Sequence, residues 1–289
     1  MHDTIIILAG GASSRMKNST DVELGDDLAI QANTRAKSLI SLDITGRPVM
    51  DYLLFNAKRA GYKRIYIVIG ENENLIKEFY GDKSNGNNFH GLIINYAIQY
   101  IPAFREKPFG TADALSQAIK QYPELRTKTY TVCNSDNLYS VIALEKLRNS
   151  RHNNALVSYD RDALQFNMER IARFALVYID ENGFLKDIIE KPSIEDSELY
   201  KDKLGKLQVS MNIFKFDGNL FTDYVENCPV NEIRNEKELP TALLNMVKDN
   251  SKSVHAIPIS EHVPDLTSKE DIAILKEYLA KHYSNMNWN

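Results

Sequence analysis

Strand-like and helix-like periodicities alternate through the first half of this 289-residue chain, and that alternation restricts the fold more than any other feature. Apolar runs at 4–9, 64–69, 92–98 and 129–133 read as buried strands. Helical stretches at 48–60, 72–80 and 111–121 separate them, with Gly61 and Gly81 as C-terminal stops. A βαβα order predicts an α/β fold, a parallel, doubly wound sheet covered by helices, with ligands at the carboxyl ends of the strands. After residue 150 the pattern changes to strands at 154–159, 172–179, 184–190 and 208–216, with a hairpin at Asp180-Glu181-Asn182-Gly183. Helical patterns follow at 236–249 and 268–282. This reads as an antiparallel C-terminal extension packed on the first sheet, so residues 1–289 are expected to form a single domain with halves 1–150 and 151–289. The polar segment 18–36 has few large apolar residues and is expected to be a mobile active-site loop or disordered. No hexapeptide repeat occurs, so no β-helix domain is expected.

Charge and cysteine content exclude several classes. The net charge is −4, which gives no electrostatic reason to expect nucleic acid as a partner. Cys133 and Cys228 make neither a disulfide framework nor a metal knuckle, and Cys133, at the end of an apolar run, is expected in the core. The run Ile5-Ile6-Ile7-Leu8 lacks a basic flank and is too short for a signal or membrane helix, so a reducing cytoplasm is the expected compartment.

Several segments carry chemistry. The first strand ends at Gly10-Gly11-Ala12-Ser13, where small residues let backbone N–H groups approach a ligand, and Arg15 and Lys17 add positive charge. A strand, a small-residue turn and an arginine suggest a triphosphate cradle; an ordinary strand-to-helix turn is the alternative. Asp136, just past the run Tyr130-Thr131-Val132-Cys133, is placed to hold Mg²⁺; a helix N-cap or an Asx turn is the alternative. Glu190-Lys191-Pro192 closes a strand, and there Glu190 can accept from hydroxyls and Lys191 can meet a phosphate; a solvated strand end is the alternative. Lys37 could fold back beside the glycine loop or lie on the surface. Gly110-Thr111-Ala112-Asp113 opens a helix with small residues, open to a planar ring or to close helix-on-sheet packing. Ser268 with Asp271 resembles a capping box, which leaves Asp265 outside the last helix and free for another role. No P-loop, dinucleotide fingerprint, zincin histidine pair or nucleophile elbow is present.

In their order, these segments resemble the nucleotidyltransferases that make nucleoside-diphosphate sugars, over residues 4 to about 280. Leu8-Ala9-Gly10-Gly11-Ala12-Ser13-Ser14-Arg15-Met16 resembles the family's nucleotide-binding loop, and Lys37, Pro48 and Ala60-Gly61-Tyr62 its second signature. Gly110-Thr111-Ala112-Asp113-Ala114, Asp136, Glu190-Lys191-Pro192, Ser210-Met211-Asn212-Ile213-Phe214 and Asp265 follow in the family's sequence. The resemblance implies a Rossmann-like mixed sheet of the nucleotide-diphospho-sugar transferase (GT-A-like) fold, with a nucleotide-binding first half and a sugar-binding second half. It implies the reaction of a nucleoside triphosphate with a sugar 1-phosphate, giving a nucleoside-diphosphate sugar and pyrophosphate. Arg15, Lys37 and Asp136 would be catalytic, and Asp136 and Asp265 would share Mg²⁺. Residues 8–13, with Gln99, Gly110 and Thr111, would hold the nucleotide, and Glu190, Lys191, Ser210 and Asn212 the sugar phosphate. The Gly-Thr-Ala-Asp and Ser-Met-x-Ile segments lean towards the ADP-glucose pyrophosphorylase branch. A cytidylyltransferase acting on a phospho-alcohol or cofactor, and a catalytically weak sugar-nucleotide-binding regulator, are the alternatives. Three departures mark this chain: a long stretch between Arg15 and Lys37, Asn212 where many members have glycine, and Asn134-Ser135 before Asp136.

Overall fold

The computed structural model describes residues 1–19, 24–43, 45–190 and 192–288, without the side chains of Ile194 and Asp196. Its first half contains β1 (Thr4–Leu8), α1 (Ser14–Asn18), α2 (Asp26–Thr34), α3 (Val49–Arg59), β2 (Arg64–Gly70), α4 (Asn74–Tyr80), β3 (Asn87–Phe89), β4 (Leu92–Gln99), α5 (Thr111–Gln121) and β5 (Thr129–Asn134). The second half adds α6 (Val141–Asn149), β6 (Asn154–Asp160), α7 (Met168–Ile171), β7 (Leu176–Ile179), β8 (Leu185–Ile189), α8 (Ile194–Ser197) and β9 (Gln208–Asp217). It ends with α9 (Gly218–Glu226), α10 (Leu239–Asp249), β10 (Val254–Ile259) and α11 (Glu270–His282).

One sheet runs through both halves in the order β10-β6-β9-β5-β1-β2-β4-β3, with β7 and β8 attached beside β9. β1 is its centre, and the period-2 alternation of its isoleucines explains the layers. Ile5 and Ile7 pack with α3, α6 and α11 on one face, while Ile6 packs with α5, α9 and α10 on the other. All three are fully buried. β5, β1, β2 and β4 are parallel, and the chain leaves β1 for β2 on one side but returns to β5 on the other. That reversal opens a crevice at the carboxyl ends of β1 and β5. Cys133 and Cys228 are buried and unbridged.

The structure corrects four expectations. The extension is not wholly antiparallel: β9 runs antiparallel to β5 and β6, but β10 pairs parallel with β6. Its strands are also hydrogen-bonded into the first sheet rather than packed on it. Pro258 and His255 disguise β10, and an edge strand tolerates a proline because its missing N–H has no partner to serve. Within 18–36 lies α2, whose buried face is only Gln31 and Ala32, too small for an apolar pattern to reveal. Gln31 fixes it by accepting the Ser41 N–H at 2.9 Å. The strand expected over 172–179 is confined to Leu176–Ile179, because α7 and a turn take up the residues before it. No helix among the described residues is long and apolar enough to cross a membrane.

Candidate active site

The crevice between β1 and β5 holds a cleft of about 400 Å³ lined by the loop from Leu8 to Arg15, by Lys37, Gln99, Gly110 and Thr111, and by Asn134 to Asp136. The parallel register sets Leu8 beside Asn134, and the Ser135 N–H donates to the Leu8 carbonyl at 3.2 Å. Gly10 allows a close approach, since a Cβ there would lie 3.0 Å from Gln99 Oε1. Ser13 adopts the left-handed conformation at φ 54°, and its hydroxyl accepts the Lys37 N–H at 3.4 Å. This contact brings Lys37 back to the glycine loop. Arg15 is exposed and forms no ion pair with any described residue. A cation at the rim of a small-residue loop is arranged for an anion from outside.

Lys37 Nζ pairs with the Asp136 carboxylate, both side chains being largely buried. Asp136 and Asp265 are set side by side by backbone alone. Asn137 bridges to Asp265, the Leu266 N–H donates to the Asp136 carbonyl at 2.9 Å, and the Leu138 N–H to the Pro264 carbonyl at 2.8 Å. Burial and the facing Asp136 push the Asp265 carboxyl above its usual range, against the pull of Arg170. Arg170 Nη2 donates to Asp265 Oδ2 at 2.6 Å, and Thr267 Oγ1 donates to the same oxygen at 2.8 Å. Nothing in the sequence singled out Arg170. No group of three or more potential metal ligands of the His, Cys, Asp and Glu type occurs among the described residues. The two aspartates offer hard oxygen donors at one place, as suits an ion completed by substrate phosphates and water.

On the other wall, Gln99 Nε2 donates to the Gly110 carbonyl at 3.1 Å and to Asp113 Oδ2 at 3.0 Å. Its carbonyl oxygen is thereby turned towards Gly10 as an acceptor. Gly110 has φ 101°, and a Cβ there would meet the Lys237 carbonyl oxygen at 2.3 Å. That carbonyl takes the Ala112 N–H, while Thr111 Oγ1 accepts the Leu239 N–H at 3.0 Å. Thr111 therefore lines the cleft with its hydroxyl committed to α10, and the start of α5 is partly covered by this chain's own backbone. Lys107 and Glu236 also line the cleft, and sequence reasoning missed both because neither belongs to a motif.

The residues expected on the sugar side are less gathered. Glu190, Ser210 and Asn212 are not among those lining the cleft, and neither is Asp265, the expected metal ligand. Glu190 pairs with Arg234 at 3.1 Å, and Lys191 lies outside the described residues. Ser210 donates its N–H to the Ala175 carbonyl at 3.0 Å. Asn212 has φ 56° and sits where β9 carries extra residues against β6. A left-handed bulge position accepts glycine or asparagine, which accounts for the asparagine at a place where glycine was expected.

A family profile described as nucleotidyl transferase matches residues 4–261. The bifunctional protein GlmU of Staphylococcus epidermidis is 23% identical over 275 residues, which cover 94% of this chain and 51% of the relative. The glucose-1-phosphate adenylyltransferase of Bradyrhizobium diazoefficiens is 26% identical over 226 residues, 76% of this chain and 49% of the relative. The chain thus spans about half the length of these curated relatives. A solved UDP-glucose pyrophosphorylase complexed with UDP-glucose shares the fold, with a TM-score of 0.69 and 15% identity over 97% of this chain and 99% of that one. The profile runs from the first residue of β1 past the end of β10, so it takes in the whole sheet and the cleft: the chain belongs to the nucleotidyl transferase family.

Proposed function

We propose that this protein transfers a nucleotidyl group from a nucleoside triphosphate to a sugar 1-phosphate, releasing pyrophosphate and a nucleoside-diphosphate sugar. The observation that carries the reading is the cleft in which the glycine loop and the exposed Arg15 lie beside the Lys37–Asp136 pair, with Asp265 next to Asp136. The named relatives include a glucose-1-phosphate adenylyltransferase, which agrees with a sugar phosphate as acceptor. The half before residue 150 would bind the nucleotide and the half after it the sugar phosphate, within one domain.

In this reading an oxygen of the sugar phosphate attacks the α-phosphorus in line, forming a P–O bond as the bond to the β-phosphate oxygen breaks and its electron pair leaves with pyrophosphate. Such chemistry needs positioning and charge neutralisation rather than a covalent nucleophile. Backbone N–H groups of residues 10–13 hold the triphosphate, and Arg15 meets the charge that builds on pyrophosphate. Lys37 would contact phosphate at the reacting centre, and the oriented Gln99 oxygen would read the base. Asp136 and Asp265 would hold Mg²⁺, which when bound supplies charge neutralisation to the phosphate oxygens. Glu190 would hold sugar hydroxyls and Lys191 the sugar's phosphate, with Ser210 and Asn212 at the sugar's edge.

A pyrophosphate-release assay crossing five nucleoside triphosphates with a panel of sugar 1-phosphates tests the proposal. Turnover with at least one such pair, abolished by Asp136→Asn, is expected. Turnover with CTP and phosphocholine alone would make the acceptor a phospho-alcohol. Nucleoside-diphosphate sugar binding without turnover of any pair would make the protein a regulator.

A further inference from the structure

Arg170 reaches the site from a segment with no other part in it. It stands in the one-turn helix α7, on the connection from β6 to β7. Its Nη2 donates to Asp265 Oδ2 at 2.6 Å and to the Asp265 carbonyl at 3.2 Å, while Nη1 meets Asp271 Oδ1. The guanidinium lies 4.3 Å from the centre of the Phe166 ring, which packs against Phe174 and His262. Asp271 is held independently, its Oδ2 accepting the N–H groups of Thr267 at 2.8 Å and Ser268 at 2.7 Å. On the other side of the pair, Lys37 meets Asp136. Each carboxylate assigned to the metal is therefore already matched by a cation of this chain.

We propose that Arg170 is the counter-cation that keeps Asp265 from taking up a divalent ion by itself, so that the ion enters only together with an oligophosphate. The inference rests on the metal reading given above. A dication and a guanidinium on one carboxylate repel each other across a few ångströms, in a partly buried place where salt screens weakly. A bound oligophosphate brings negative charge to the same spot and offsets that repulsion. Arg170 need not leave the protein when it loosens from Asp265, because Asp271 Oδ1 and the Phe166 ring still hold it.

The test is Mn²⁺ binding to the whole chain without nucleotide, followed through the electron paramagnetic resonance signal of the free ion. Arg170→Gln is expected to bind Mn²⁺ at least about tenfold more tightly than the parent, since one repelling unit charge is gone. Adding Asp265→Asn to that variant should remove the gain, and Arg170→Lys, which keeps the charge, should stay near the parent. Preformed Mn²⁺–tripolyphosphate, titrated by calorimetry, should bind the parent and Arg170→Gln within about threefold of each other, on the same charge argument. A tenfold difference persisting with that complex overturns the joint entry. Equal or weaker Mn²⁺ binding by Arg170→Gln, with the parent's binding still dependent on Asp265, overturns the role of Arg170 and leaves the metal reading standing. Binding indifferent to Asp136→Asn and Asp265→Asn in every protein overturns both. Circular dichroism on the same samples confirms the fold. Should Arg170→Gln not fold, Asp271→Asn keeps the cap and leaves Arg170 to Asp265 alone; Mn²⁺ binding as tight as the parent's then overturns the proposal.

Discussion

The two halves of the sheet deliver their charged residues by different means. On the β1 and β5 side, strand ends do the placing: the glycine loop and Asp136 sit side by side because two parallel strands stop at the same level. On the β6 to β10 side, contacts between distant loops do it. Asp265 is brought to Asp136 by an isolated bridge, Arg170 reaches it from α7, and Glu190 is tied to Arg234 across 44 residues of chain. Regular elements place groups through repeating hydrogen bonds, whereas latches place them through single pairs. In the second half, placement should therefore hang on individual pairs that acid or one substitution can release, while in the first half it is built into the sheet itself.

The largest expected effect tests the first half. Arg15→Ala should lower kcat by about 10²–10³-fold, about 3 kcal/mol in barrier, as for removal of one preorganised charge-stabilising group. Because Arg15 is exposed and forms no ion pair among the described residues, the melting temperature should stay unchanged, and a drop would assign it to the fold instead. Gly110→Ala joins a left-handed backbone to a clash with the Lys237 carbonyl and should cost about 3 kcal/mol of stability in urea unfolding. A near-neutral result would mean that the 231–238 loop can lift away from α5.

Acid sharpens the comparison on the other side. Burial and the nearby Arg170 hold His262 as a neutral imidazole down to about pH 4, with Nδ1 accepting the Gln165 N–H at 3.1 Å. Between pH 6.5 and about 4 the unfolded chain takes up a proton that the folded one refuses, so stability falls as pH drops through that window and not further below it. Discounted for partial exposure, the loss is on the order of 1 kcal/mol. Urea unfolding at several pH values should show it, and His262→Gln should flatten this part of the profile. The smallest effect is expected at Asn212→Gly. Both residues accept φ 56°, so stability should change by less than about 0.5 kcal/mol. A larger loss would show that the asparagine side chain holds the bulge.

Much of the first half could be read directly. The isoleucines of β1 read as a buried strand with the glycine turn at its end, and the βαβα order implied a sheet covered by helices, as the two packed faces show. Where packing is made by small or polar residues the reading failed. α2 buries only Gln31 and Ala32, and β10 carries a proline that only an edge position permits. Thr111 lines the cleft as expected of its motif, but nothing local shows that its hydroxyl also receives the Leu239 N–H from the start of α10, 128 residues away.

By itself the sequence determined the alternating architecture, the glycine loop with Arg15, and the ordered motifs that mark the family, because each is written in local spacing and residue size. The resemblance paired Asp136 with Asp265, but tertiary structure alone decided which cations hold them. Lys37 on Asp136 spans 99 residues and Arg170 on Asp265 spans 95. A charge pair acts across a few ångströms of space, and no local pattern along the chain records which distant loops the sheet will bring that close.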